Sequence, residues 1–378
     1  MPFATPMGGY VDRPGPSTGT LDPLELNVVT WSAGERRLAL AVADVVCVND
    51  DLAQRAREIA GCDLWLAATH THAGPETGCV PGGGPTPHPW LDRIAEAVGS
   101  AVREAAKAES PCDGTAHRGE LHGVGGDRTD PAATPVVPLD VLAFRTDGRL
   151  TGVVVVLPIH PTVLPAVNRL VSADIPGATR TALHARLGPD VWVIVATGTA
   201  GDISTRYTRR GQDPDELSRL ATLVADRCIG LLGEAPHGSW TSGDRLRLAS
   251  RRLHLRREHV VVDGAALGAD YARTPGDRLA RSRLEGLRAR TGATTPIFAE
   301  VNAARLGSLR LAALPGEPFL ATGRSIDAVV LGYVNGYPGY LPTADAYRRI
   351  EYEVLASQVA PGSAEALAHT ARTLLEEL

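Results

Sequence analysis

Lysine is almost absent from this chain: of 38 basic residues only Lys107 is a lysine, a bias of coding rather than a sign of function. Aromatic residues are also scarce, at 4% of 378 residues, and no aromatic amphipathic stretch offers an anchor for a lipid surface. No apolar run approaches the ~18 residues of a membrane span. The longest, Leu38 to Val48, is interrupted by Asp44, so stable membrane insertion is not expected. A net charge of −5 and a pI near 6.1 lack the basic excess of a nucleic-acid binder. Cysteine is sparse and odd in number, five in all, with no CxxC spacing. That pattern predicts free thiols in a reducing compartment rather than a disulfide frame. The first residues carry no basic segment followed by an apolar one, so the expected location is the cytoplasm. Cys79, in a Gly-rich loop near two histidines, is the one thiol not assigned as inert packing.

What the chain does have is glycine (40), proline (28) and a 44% hydrophobic fraction, the composition of a globular protein rich in turns. Leu24–Trp31 and Leu38–Val48 read as a hairpin, Leu64–Ala68 as a short buried strand, and Trp90–Ala108 as an amphipathic helix. Val136–Phe144 and Thr151–Pro158 read as strands around Thr-Asp-Gly, followed by a helix over Ile175–Arg186 and a strand over Val191–Thr197. Asp215–Leu232 is a helix with a Pro-Asp-Glu start. Ile297–Ala304 and Leu309–Leu314 form a second hairpin, Val329–Tyr333 a strand, and Ser363–Leu378 a closing helix. Strict βα alternation is missing, so the expected class is α/β with a mixed β-sheet core flanked by helices. No repeat or linker divides residues 1–378, which are expected to be one catalytic domain. Long polar loops fall at 72–89, 122–135 and 204–214.

Polar residues gather just after the apolar strands. Leu64–Thr69 runs into His70-Thr-His72, Gly152–Ile159 into His160, and Val191–Thr197 into Gly198-Thr-Ala-Gly-Asp202-Ile-Ser204. Leu309–Leu314 runs into Pro315-Gly-Glu317, and Val329–Val334 into Asn335-Gly-Tyr337-Pro-Gly-Tyr340. Such groups are expected to converge on one sheet edge, where open α/β folds bind ligands. His70 and His72, two apart in extended chain, point to one side. With a third strand-end histidine and a strand-end glutamate they suit a metal such as zinc, held by three protein ligands with room for water. His88, His117, His122, His184, His237, His254, His259 and His369 lack this grouping and read as surface or packing residues.

These segments resemble the neutral/alkaline, non-lysosomal ceramidases. The matching residues are Thr69-His-Thr-His-Ala-Gly-Pro75, Ile159-His-Pro-Thr162, Leu170-Val-Ser-Ala-Asp174, Gly201-Asp-Ile-Ser204, Pro315-Gly-Glu317 and the tail from Gly336 to Glu353. The opening Met7-Gly-Gly-Tyr10 is similar too, and the matches follow family order along nearly the whole chain. The resemblance implies zinc ligands at His70, His160, Glu317 and Tyr340. It places His72, Arg128 and Tyr352 on the substrate side, and Ser204 as nucleophile or positioning residue. In the mechanism it implies, zinc-activated water attacks, Tyr352 and Arg128 donate to the oxyanion, and His72 carries a proton to the leaving amine. No base for Ser204 is identifiable, which favours positioning.

The chain departs from the family pattern in three respects. No C-terminal β-sandwich like the family's is expected in these 378 residues, Thr205-Arg206 follows Ser204 where Pro-Asn is typical, and no lipid anchor is expected. The expected substrate is therefore a small-molecule N-acyl compound smaller or more polar than ceramide, cleaved at a linear amide. Acyl transfer or amide formation, ester or lactone cleavage, and non-catalytic ligand binding remain alternatives, as does a His-x-His barrel amidohydrolase. Oligomeric state is not readable. Arg206, Arg209 and Arg210 are candidates to bind a substrate carboxylate or phosphate. Arg245, Arg247, Arg251, Arg252, Arg256 and Arg257 read as a solvated strand face, and Pro81-Gly-Gly-Gly84 as a lip over the metal.

Overall fold

The computed structural model describes residues 4–34, 36–258, 296–349 and 351–378; His259 lies outside them. It is an α/β structure of mixed sheets covered by helices. The strand-forming runs supply three main sheets rather than one. The hairpin Leu26–Ala33 and Arg36–Ala43 is joined in parallel by Asp63–Ala68. A five-stranded sheet runs in the order Trp192–Thr197, Arg149–Leu157, Val136–Thr146, Asp113–His122, Gly238–Trp240, with only the first pair parallel. The third sheet pairs Leu246–Leu255, Ile297–Leu306 and Leu309–Ala313 antiparallel and adds Val329–Leu331 in parallel.

The alternation of side chains along each strand explains why the runs are apolar throughout. In Arg36–Ala43, Leu38, Leu40 and Val42 face one core, while Ala39, Ala41 and Ala43 face another. In Arg149–Leu157, Val154 and Val156 share that first core, and Val153 and Val155 turn to a helix layer. The first core is common to all three sheets. It holds Trp31, Trp65, Phe144, Trp240, Leu306, Leu311 and Val329. Gly114 and Gly152 admit the indoles of Trp240 and Trp192, which a Cβ at either position would strike.

Each outer face has its own helix cover. Asp50–Ala60 and Trp90–Lys107 bury Leu52, Ala56, Val98 and Val102 against the three-stranded sheet. Asp174–Leu187 and Pro214–Leu232 cover the five-stranded sheet through Ile175, Leu183, Leu220 and Val224. Ser363–Glu377 lays Leu367, Ala371 and Leu374 on the third. No closed eight-stranded barrel forms among the described residues, which removes the barrel amidohydrolase alternative.

Two of the longer elements are new relative to the sequence reading. The helix Asp50–Ala60 shows only three buried residues among many charges, and the strand Asp113–His122 carries two glycines and five charged or imidazole side chains that interrupt its alternation. The run expected to continue to Val48 stops at Ala43. There the Asp44 carboxylate accepts the Glu25 N–H at 2.9 Å and pairs with Arg180 Nη2 at 2.5 Å, turning the chain out of the sheet. Along Leu246–Leu255 the arginines behave as a solvated face: Arg251 pairs with Glu377 and Arg252 with Asp50.

Candidate metal centre and active site

The carboxyl ends of strands from all three sheets meet at one place, not along one sheet edge. Hydrogen bonds tie them together: Ala68 N–H to Tyr333 C=O (3.1 Å), Gly198 N–H to Leu157 C=O (3.2 Å) and Gly332 N–H to Thr197 C=O (3.0 Å). The Thr197 hydroxyl donates to the Thr69 carbonyl at 2.8 Å. Gly201 lets its loop lie on the backbone of Glu317, where a side chain would collide, and its N–H donates to Pro318 C=O at 2.9 Å. The strand-end residues thereby share one buried volume.

His70 and His72 do not converge through strand alternation. His70 sits at φ +63°, in the left-handed region, just beyond the strand. This turn brings His72 Nε2 to 3.3 Å from His70 Nε2. Gly9, at φ +90°, lies against the His72 imidazole, where a Cβ would collide. His160 Nε2 is 3.0 Å from His70 Nε2. Glu317 Oε2 lies 3.3 Å from His70 Nε2 and 3.6 Å from His160 Nε2. Tyr340 pairs with Glu317 in a two-residue parallel ladder, and its ring stacks nearly parallel to His160 at 6.4 Å between centroids. His70, His72, His160, Glu317 and Tyr340 are all buried.

The outward nitrogens of two imidazoles are committed. His70 Nδ1 faces the Val46 carbonyl at 2.5 Å and His160 Nδ1 faces the Ala200 carbonyl at 3.2 Å. Each Nδ1 must carry the proton to donate, which in the neutral, metal-binding form of the ring turns the Nε2 lone pairs toward each other. Glu317 Oε2 is buried without a hydrogen-bond partner, while Oε1 accepts from the Tyr337 hydroxyl at 2.5 Å. Facing lone pairs beside an unpartnered carboxylate oxygen repel one another, and a cation removes that repulsion. The donor set of imidazoles, carboxylate and phenol therefore fits a metal ion. The three imidazoles alone also form a ligand cluster, their donor atoms within 4.8 Å of one another.

Burial pushes the His72 and His160 pKa values well down, with neighbouring His70 and Arg128 adding to the effect, so both rings are neutral ligands or bases. Burial alone would raise the Glu317 carboxyl, but His70, Tyr337 and Arg128 hold it below the ordinary range. Burial raises the Tyr340 phenol, and Arg128 acts against that rise.

The structure brings Arg128, Ser204 and Tyr352 into the same neighbourhood. The Arg128 guanidinium lies 5.2 Å from the Tyr340 ring centroid, its Nε is 2.5 Å from Glu353 Oε1, and its Nη2 is buried without a partner. Tyr352 sets its ring edge-on to Tyr340 at 5.8 Å and remains 40% exposed, which keeps it accessible. Ser204 is buried and adjoins His160 through a parallel bridge, and its Oγ accepts the Arg206 N–H at 3.2 Å. The Pro81–Gly84 segment lies against the ligand loop through Gly82 N–H to Pro338 C=O at 3.0 Å. Cys79 is held as a thiol: a hydrogen bond with Cys47 and burial push it well up.

Tyr337, Glu353 and Asp174 act one step removed, and the sequence reading did not assign them roles. Tyr337 and Glu353 lie in the tail that carried the resemblance, and their spacing to Tyr340 and Tyr352 was the available signal. Asp174 accepts N–H groups from Val163 (3.2 Å), Leu164 (3.0 Å) and Ile175 (2.7 Å), fixing the turn that follows His160. Burial outweighs these bonds and raises its carboxyl to about 6. The folded chain thus binds this proton more tightly than the unfolded chain. The stabilisation is full near pH 4 and is lost as pH rises through 6. Urea titrations of wild type and Asp174→Asn from pH 4 to 7 are expected to diverge, the wild type losing up to about 3 kcal/mol relative to the variant. Parallel profiles would contradict a buried, protonating Asp174.

No protein-family model matches the chain. The chain is 23% identical over 424 residues to a protein named neutral ceramidase from Mycobacterium tuberculosis (strain ATCC 25618 / H37Rv), covering 85% of this chain and 65% of that protein. It therefore spans just under two thirds of the length of that curated relative. Its fold superposes on the crystal structure of neutral ceramidase from Pseudomonas aeruginosa with a TM-score of 0.74 at 19% identity, covering 100% of this chain and 72% of the other. A ceramidase structure complexed with C2 gives a TM-score of 0.74 at 18% identity, over 99% and 72%. Fold and site together define an α/β domain with a buried cluster able to hold a metal. The fold is that of a neutral-ceramidase-like domain.

Proposed function

We propose that this chain is a zinc-dependent hydrolase that cleaves a linear N-acyl amide. The observation that carries the reading is the facing Nε2 pair of His70 and His160 beside the unpartnered Glu317 Oε2. His70, His160, Glu317 and Tyr340 would hold the ion. A bound zinc supplies Lewis acidity, lowering the pKa of a coordinated water to about 7 and polarising a carbonyl. The similarity to a protein named neutral ceramidase supports amide cleavage. The substrate we assign is smaller or more polar than ceramide, because Thr205-Arg206 follows Ser204 and sets a cation beside it, the Arg206 N–H donating to Ser204 Oγ.

The chain's own residues then divide the work. Arg128, with Nη2 free and its charge fixed by Glu353, donates to the oxyanion that develops on the substrate carbonyl. Tyr352, at the exposed rim, supplies a second phenolic donor. His72, neutral and beside the ligand pair, accepts a proton at Nε2 and returns it to the leaving amine. Ser204 positions the substrate: no hydrogen bond from its hydroxyl to a base is present among the described residues, and its Oγ is an acceptor for Arg206.

Two measurements test the reading. Incubating zinc-loaded protein with N-acyl amines, with esters, and with amine-plus-acid pairs separates hydrolysis from transfer and ester cleavage; no amide cleavage in any of them would overturn it. The role of His72 is tested by His72→Asn. It is expected to keep about one zinc per chain and lose roughly 10²–10⁴-fold in kcat, as for removal of a general acid–base. Loss of zinc in this variant would instead make His72 a third imidazole ligand, as its 3.3 Å approach to His70 permits.

A further inference from the structure

Three arginines stand beside His72 and Ser204 without serving the chemistry described above. Arg13 donates Nη1 to the Asn168 carbonyl and Nη2 to the carbonyl of His72 itself. Its guanidinium lies 5.2 Å from the Tyr10 ring, which meets the His72 ring edge-on at 4.8 Å. Arg209 donates Nη1 to the Thr162 carbonyl at 2.9 Å, two residues past His160. Arg206 donates Nη1 to the Arg128 carbonyl at 3.0 Å and its backbone N–H to Ser204 Oγ. All three are oriented by neutral carbonyl groups, and none makes an ion pair with a carboxylate among the described residues. Arg128, by contrast, is paired with Glu353, and Arg180 with Asp44.

Guanidiniums fixed by carbonyls, with no carboxylate close enough for an ion pair among the described residues, are a prepared arrangement for an anion. Burial lowers the pKa of both Arg13 and Arg209; Tyr10 and Asp12 partly offset this at Arg13, and at Arg209 Tyr10 and Asp174 act against it while Arg206 adds repulsion. Because Arg13 is anchored on the His72 backbone, the charge lies on the side where the leaving amine is protonated. We propose that Arg13, Arg206 and Arg209 bind a carboxylate on the amine half of the substrate, which makes the substrate class N-acyl amino acids. This rests on the amide-hydrolase reading for the position of the scissile bond. The same cluster explains Thr205-Arg206 after Ser204: a cation here favours a charged substrate over a neutral lipid amide.

Binding tests the carboxylate without turnover. Octylsulfonylglycine and its uncharged glycinamide, whose sulfonamide link resists hydrolysis, are titrated calorimetrically into the zinc-loaded full chain. The carboxylate is expected to bind roughly 10–100-fold more tightly, the range for one or two charge-assisted hydrogen bonds. In Arg206→Gln/Arg209→Gln the preference is expected to collapse, while Arg209→Lys, which retains charge, keeps most of it. Equal binding of acid and amide, or an unchanged preference in the double variant, would overturn the assignment. Tighter binding of octylsulfonyl phosphoethanolamine than of the glycine compound would also overturn it, in favour of a phosphate. Kinetics on N-octanoylglycine and N-octanoylethanolamine are scored separately. If neither is cleaved but the carboxylate preference persists, the hydrolase reading fails and the anion site stands.

Discussion

Replacing His160 with alanine is expected to remove the bound zinc and lower amide hydrolysis by at least about 10³-fold, since the ion supplies several kcal/mol of charge stabilisation. The reason is geometric. His160 is fully buried, its Nδ1 is held by the Ala200 carbonyl, and its Nε2 faces His70. Tyr337→Phe gives the graded version. It removes the hydroxyl that donates to Glu317 Oε1 while keeping the ring in its apolar contact with Val46 and Cys47. Loss of such an outer partner costs about 10–100-fold in metal affinity. Elemental analysis and competition with a chromogenic chelator read both effects. Full zinc occupancy in His160→Ala would sink the ligand assignment.

The second large effect concerns the buried ion pair. Glu353→Ala strands the Arg128 guanidinium, which is only 6% exposed, and is expected to destabilise the fold by roughly 3–5 kcal/mol. The same change frees Arg128 to swing away from Tyr340, so activity falls as well. A structural role and a positioning role separate in the paired variant Arg128→Met/Glu353→Leu. Apolar replacement of both partners is expected to restore most of the stability, because no uncompensated charge remains. Activity is expected to stay about 10²–10³-fold down, the usual cost of losing an oxyanion donor. Denaturant unfolding and steady-state kinetics together give the answer. Recovery of activity in the double variant would show that Arg128 takes no part in the reaction.

The legibility of this protein in its sequence follows the range of the interactions involved. The hairpin at 26–43, the helices Trp90–Lys107 and Pro214–Leu232, and the strand before His70 were readable because their apolar periodicity and turn residues are local. Asp113–His122 was not, since its burial comes from neighbouring strands and Trp240 rather than from its own pattern. His70, His160 and Glu317 stood out as candidate metal-binding side chains past apolar runs, and Tyr340 was added by the family resemblance. Their convergence was inferred for the wrong reason, as one sheet edge and an extended His-x-His, whereas three sheets meet and His70 turns through a left-handed φ.

The sequence by itself determined the α/β class and the chemical types offered at the strand ends, because strand patterns and ligand identities are properties of short segments. Only the tertiary structure decided which carbonyls orient His70 and His160, that Tyr337 braces Glu317, and that Arg128 is ion-paired while, among the described residues, Arg13, Arg206 and Arg209 are not. Those relations join residues far apart in the chain, and burial sets their electrostatic weight. The cations around this site are guanidiniums with planar donor arrays, suited to bind a carboxylate in a fixed orientation.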